Sequence, residues 1–221
     1  MLFAPAFAAL VLSISASADV SPTLVDHVVD ETNAIWKPAG VTLQWIRSGS
    51  SGAGSDASVD VVIGQARGSA HAYDAPLGWI AFEEGRPQPH LYLSYANATA
   101  LLEAARGVVG SVSRMPILER ETYLGRALGR ALAHELGHYL LELKTHTSAG
   151  LMKANFTAAE FFMPEKTHFT ITKAQQATAA ARLSQAPLVA SATSGSSSPT
   201  SPRPASPPRG AARWSGPTPH S

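Results

Sequence analysis

Cysteine is absent from the 221 residues, and charge of either sign is sparse, at 15% of positions with a net charge of +1. The missing thiols exclude a disulfide framework and any thiolate metal site, and leave the cellular compartment open. No apolar run reaches the ~20 residues that a membrane-crossing helix needs, so stable membrane insertion is not expected. Residues 1–18, MLFAPAFAALVLSISASA, carry no charged side chain and end in Ala16-Ser17-Ala18. This segment resembles a secretory signal peptide with an A-x-A cleavage site, although no Lys or Arg follows Met1. The other reading of the same run is an uncleaved anchor or a buried strand. Cleavage would make the protein secreted or periplasmic. Residues 185–221 lack Asp and Glu, are rich in Pro and Ser, and contain three Arg. Such a tail buries too little apolar surface to offset its ordering entropy and is expected to be disordered. What remains, residues 19–184, holds 14 Lys and Arg against 16 Asp and Glu, a balance of −2. That balance excludes nucleic acid as a partner on charge grounds. One compact, monomeric domain over 19–184 is the expected organisation.

Within that domain, Ser21-Pro22 fits a helix cap followed by proline in the first turn, and Leu24, Val25, Val28, Val29 and Ile35 keep a helical rhythm to Trp36. Alternation and β-branched content predict strands over 41–46, 59–63, 77–82 and 90–95, with residues 85–89 as turn material. A short helix is expected over 97–106. A long helix begins near Ile117 and runs to about Leu143. Along it Leu124, Leu128, Leu132, Leu136 and Leu140 form a core stripe. Gly125, Gly129, Ala133 and Gly137 form a neighbouring small-residue stripe, read as close packing onto a sheet. Residues 156–162 and 170–183 are further helical segments.

The chemistry concentrates in His134-Glu135-Leu136-Gly137-His138. Residues four apart stack on one helix face, so His134 and His138 can hold the same ion, with nitrogens about 2.0–2.1 Å from zinc. Glu135 sits at the edge of that face, where a carboxylate can take a proton from a metal-activated water. Two His and a Glu also recur by chance on amphipathic helices, so the downstream residues matter. They are His146-Thr147 and Gly150-Leu151-Met152.

Together these residues resemble the metzincin zinc peptidases, nearest their matrixin-like branch. In that branch H-E-x-G-H is followed by a third His, a Ser or Thr, and a Leu-Met turn. The resemblance implies an α+β, zincin-like single domain with a small twisted mixed sheet, a long active-site helix, a methionine turn and a C-terminal helix. It implies Zn²⁺ held by His134, His138 and His146, with Glu135 as general base. It further implies a peptide or protein substrate paired with an edge strand, for which His90 to Tyr95 is the best candidate. The chain departs from the pattern after His138. No Gly occurs between Tyr139 and Thr145, and the third His lies eight residues beyond the second instead of six. Either the helix runs about half a turn further before Lys144-Thr145 turns, or His146 is not the ligand. Some metzincins also use a Tyr after the Met-turn, and no Tyr follows position 139 here.

The expected activity is an exported zinc-dependent endopeptidase. Two alternatives stand beside it. One is a catalytically inert zincin-fold protein that binds a metal or a partner. The other is a His-His-Glu peptidase of the thermolysin-like type, with Glu160 as the third ligand. His27, His71, His90 and His168 have no partners at ligand spacing and read as surface or structural side chains.

Overall fold

The computed structural model describes residues 9–47, 59–66 and 76–185. Five strands form one sheet in the order β2-β1-β3-β5-β4, where β1 is Ala9–Ala16, β2 Thr42–Arg47, β3 Val59–Gly64, β4 Gly78–Glu83 and β5 Arg86–Ser94. β1, β2, β3 and β5 are parallel, and β4 pairs antiparallel with β5 at one edge. Helices α1 (Pro22–Trp36) and α4 (Ile117–Leu141) pack together on one face. α2 (Tyr95–Ala104), α3 (Arg106–Val109), α5 (Ala158–Phe162) and α6 (Lys173–Gln185) complete the layer. The architecture is mixed α/β: a long helix and a C-terminal helix accompany the expected mixed sheet, in which four of the five strands are parallel. Among the described residues, no helix is long and apolar enough to cross a membrane.

The N-terminal segment is the main departure. Ala9–Ala16, within the apolar run read as a removable signal peptide, forms β1, with β2 on one side and β3 on the other. Leu10, Leu12 and Ile14 point into the core and are almost fully buried. A continuous apolar stretch suits a buried parallel strand as well as it suits a signal sequence. Cleavage after Ala18 would take β1 away from both neighbours. The tail expected to be disordered lies beyond the described residues from 186 onward.

Local chemistry accounts for most element ends. Ser21 accepts a hydrogen bond from Leu24 N, capping α1. The turn before β5 is shorter than expected: Glu84 (φ 50°) and Gly85 (φ 80°) make a tight connection, and Arg86 already pairs with Glu83. Pro87 and Pro89 are tolerated because β3 joins β5 only from His90 onward, leaving the prolines on a stretch with one neighbour. The leucine stripe of α4 is buried throughout. The small-residue stripe does not face the sheet. A Cβ at Gly125 would lie 2.3 Å from His27 Cβ, and one at Gly129 2.9 Å from Val28 O, so these glycines admit α1. Trp36 Nε1 reinforces that contact by donating to Ala133 O.

Candidate metal centre

The last two turns of α4 present His134, Glu135 and His138, all buried. His134 Nδ1 donates to Leu151 O at 2.7 Å, and His138 Nδ1 donates to Leu143 O. With both Nδ1 protons committed, each neutral ring keeps its lone pair on Nε2. Those two Nε2 atoms face each other 3.1 Å apart. Two nitrogens bound to one tetrahedral zinc would lie about 3.3 Å apart, given bonds near 2.0–2.1 Å. Burial and the neighbouring imidazoles depress His134 to about 3, and burial also lowers His138 and His146. A shared proton is therefore disfavoured between the facing nitrogens, whereas a cation that both can ligate fits.

His146 completes the group. Its ring stacks on His134 with centroids 5.2 Å apart and meets His138 edge-on at 5.0 Å. One ring nitrogen from each of the three lies within 4.8 Å of the others. The departure noted in the sequence resolves locally. α4 ends at Leu141, and Glu142 adopts the left-handed conformation (φ 50°, ψ 33°) that glycine usually supplies. The helix therefore does not run on to Lys144. A non-glycine residue accepts that conformation at a cost of about 1–2 kcal/mol. Arg182 of α6 ion-pairs with the Glu142 carboxylate and stacks over Tyr139.

The return segment is closed by main-chain bonds. Thr147 N donates to Met152 O at 2.8 Å, and Thr147 Oγ1 to Ala149 O at 2.8 Å. Gly150 has φ +78° and presses so near Thr170 that a Cβ would come within 2.7 Å of its carbonyl. Leu151 N donates to that same oxygen. Met152 is buried beneath α4, where a Cβ at Gly137 would meet its sulfur at 2.2 Å. The glycine inside the histidine motif is thus the space the methionine occupies.

Glu135 lies in a desolvated position, and burial pushes its carboxyl up to about 8. Its side chain is roofed by β4: a Cβ at Gly78 would lie 3.2 Å from Glu135 Cγ. β4, not β5, is the open edge here, because β5 is paired on both sides. That corrects the expectation that residues 90–95 would receive an extended ligand. Phe82 of β4 meets the His138 ring edge-on at 6.1 Å.

Glu160 is engaged elsewhere. Its carboxylate closes a capping box with Thr157, and it pairs with Lys153 at 2.5 Å and His168 at 3.2 Å. Among the described residues, the metal-capable group contains three histidines and no carboxylate. Sequence reasoning missed Gly78, although a lone glycine inside a strand pattern signals close backbone approach. It also missed the carbonyls of Leu143 and Leu151, which no side-chain identity can reveal.

No protein-family model and no curated protein matches the chain. Among solved structures, archaemetzincin from Methanopyrus kandleri is similar with a TM-score of 0.50, at 14% identity. The match covers 83% of this chain and 100% of that one. At that identity the likeness is one of fold. The chain has a zincin-like, archaemetzincin-type architecture, with three histidines placed so that they could bind a metal.

Proposed function

We propose that the protein is a zinc-dependent endopeptidase in which His134, His138 and His146 hold Zn²⁺ and Glu135 is the general base. The facing Nε2 atoms of His134 and His138, with both Nδ1 protons tied to carbonyls, carry the reading. Zinc held there would supply Lewis acidity toward a scissile carbonyl and would acidify water. The chain's own part begins at β4, whose free edge can pair with an extended peptide. The Gly78 backbone lies against Glu135, so a peptide seated on β4 passes close to the carboxylate. Glu135 takes a proton from the attacking water and delivers it to the departing amine nitrogen. Its low-dielectric setting favours holding that proton between the two steps, and a nearby cation favours releasing it.

Within the zincin-like fold, His146-Thr147 and Gly150-Leu151-Met152 support a matrixin-like branch. The occupied carboxylate of Glu160 argues against a His-His-Glu site. The substrate class is peptide or protein, acted on by a monomer. A secreted or periplasmic location would require a route that keeps Ala9–Ala16, because they form β1.

Hydrolysis of casein and of a mixed peptide library by wild type and Glu135→Gln tests the reading. Wild type is expected to cleave, and the variant to lose activity by about 10²–10⁴-fold while still carrying one zinc. Wild type as inert as the variant, with zinc bound in both, would leave a zincin-fold metal-binding protein and end the enzyme reading.

A further inference from the structure

Two of the three candidate metal histidines, His134 and His138, are the last members of a longer series. Arg126, Arg130, His134 and His138 recur every fourth residue on α4, and each donates to a main-chain carbonyl of the chain that follows the helix. Arg126 Nη1 bonds Phe162 O, Arg130 Nη1 bonds Glu160 O, His134 bonds Leu151 O, and His138 bonds Leu143 O. One helix face thus fixes the return segment at four heights.

Arg130 stands out in this series. It is fully buried, one helical turn before His134. Its Nε donates to Glu31 Oε1 at 2.8 Å, and Lys166 holds the other carboxylate oxygen of Glu31 at 3.2 Å. Its Cζ lies 4.9 Å from the centroid of the Phe169 ring. Phe169 in turn stacks on Phe156, with centroids 4.7 Å apart and planes within 9°. Phe156 meets the His134 ring edge-on, at 6.1 Å and 89°. A continuous path of contacts therefore runs from the Glu31–Arg130 pair to the His134 imidazole.

Burying a guanidinium and a carboxylate is expensive, and apolar replacements of similar volume are often neutral or better for stability. Stability alone gives little reason for the pair. Direction does: a guanidinium can hold the Glu160 carbonyl, the Glu31 carboxylate and the Phe169 face at once. We propose that Arg130 is a positioning residue of the metal centre, acting through Phe169 and Phe156 to hold the His134 ring in its ligating orientation. The proposal rests on the zinc reading above.

The test uses the paired variant Arg130→Met with Glu31→Leu, which keeps the core filled and leaves no orphaned carboxylate, together with Phe156→Leu and the triple variant. Three quantities are read on each full-length protein: the urea midpoint without metal, zinc affinity by competition with a chromophoric chelator, and the visible absorption of the Co²⁺-substituted form. The paired variant is expected to keep a urea midpoint close to wild type, to bind zinc about 10–100-fold more weakly, and to show an altered Co²⁺ band. Phe156→Leu should reproduce the loss, and the triple variant should be no weaker than Phe156→Leu. A folded paired variant with wild-type zinc affinity and an unchanged band overturns the proposal, as do losses that multiply in the triple variant. Should the paired variant not fold, Phe169→Leu breaks the path in its middle, and wild-type affinity there overturns the proposal equally. Failure of the zinc reading is distinguishable, because wild type itself would then bind no zinc.

Discussion

Leu12 lies inside the segment that resembles a signal peptide, yet it is fully buried in a strand flanked by β2 and β3. Truncation to alanine therefore separates the two readings of that segment. In the fold described, Leu12→Ala opens a cavity in the centre of the sheet–helix core. Leu→Ala changes in such settings cost about 2–5 kcal/mol, against a total stability of about 5–15 kcal/mol. For a domain of this size each kcal/mol lowers the melting temperature by roughly 2–4 °C, so a fall of about 4–20 °C is expected. Val11→Ala is the internal control, since Val11 alternates to the outer face and is half-buried; its cost should be clearly smaller. The assay is thermal and urea unfolding of the purified, folded protein, with its intact mass measured alongside. An unchanged melting temperature for Leu12→Ala would refute the placement of β1. So would a folded protein whose mass shows that it begins at Asp19.

Three further outcomes follow from the geometry. Glu142 holds a left-handed helix end and already bears the cost of about 1–2 kcal/mol that a non-glycine residue pays there; a β-branched side chain fits that conformation worse still, so Glu142→Val should be less stable than wild type. Glu142→Gly should match or exceed wild type, since it gives up only an exposed ion pair; equal urea midpoints for Val and Gly would contradict the helix-end account. Gly137→Ala gains about 1 kcal/mol of helix propensity. It also forces the Met152 sulfur, 2.2 Å from the new Cβ, to retreat by about 1.3 Å to ordinary contact distance. Overpacking of about 1–3 kcal/mol and weaker zinc binding should result, and a more stable variant with full affinity would be inconsistent with a methionine seated there. Without metal, His134 is depressed from 6.5 to about 3 and Glu135 is raised from 4.5 to about 8. Below pH 6.5 the unfolded chain gains a proton that folded His134 refuses, so stability falls toward acid. Above pH 4.5 the unfolded chain loses a proton that folded Glu135 keeps, so stability falls toward pH 8. The two losses together leave a plateau between about 4.5 and 6.5, with declines of up to about 1.4 kcal/mol per pH unit on either side. Melting curves in chelator across pH 3–9 should show it, and saturating zinc should remove the alkaline decline; a monotonic profile would count against these burial effects.

The parts of the fold that were legible in the sequence are those set by local chemistry. The Ser21 cap, the leucine stripe of α4 and the spacing of His134 and His138 each follow from residues within a few positions of one another. The placements that required long-range pairing were not legible. An apolar run closed by Ala16-Ser17-Ala18 has the same periodicity whether it is a signal sequence or a strand, and only pairing with residues 42–47 and 59–63 decides. Nothing local in residues 90–95 marks them as an inner strand, because edge status depends on which strands flank them. The glycines of α4 announced close approach, but not whether α1, the sheet or Met152 would approach. At the site, His146 is legible as a candidate despite its unusual spacing, and the reason for that spacing lies in the backbone of Glu142, a residue whose type gives no warning of a left-handed turn.

In the proposed site three imidazoles, and no carboxylate of the protein, hold one zinc. X-ray absorption at the zinc edge of the loaded protein tests it most directly. Three imidazole nitrogens are expected at about 2.0–2.1 Å from the metal, falling to two in His146→Ala and remaining three in Glu160→Ala. Two imidazoles in wild type, or loss of a ligand only in Glu160→Ala, would contradict it.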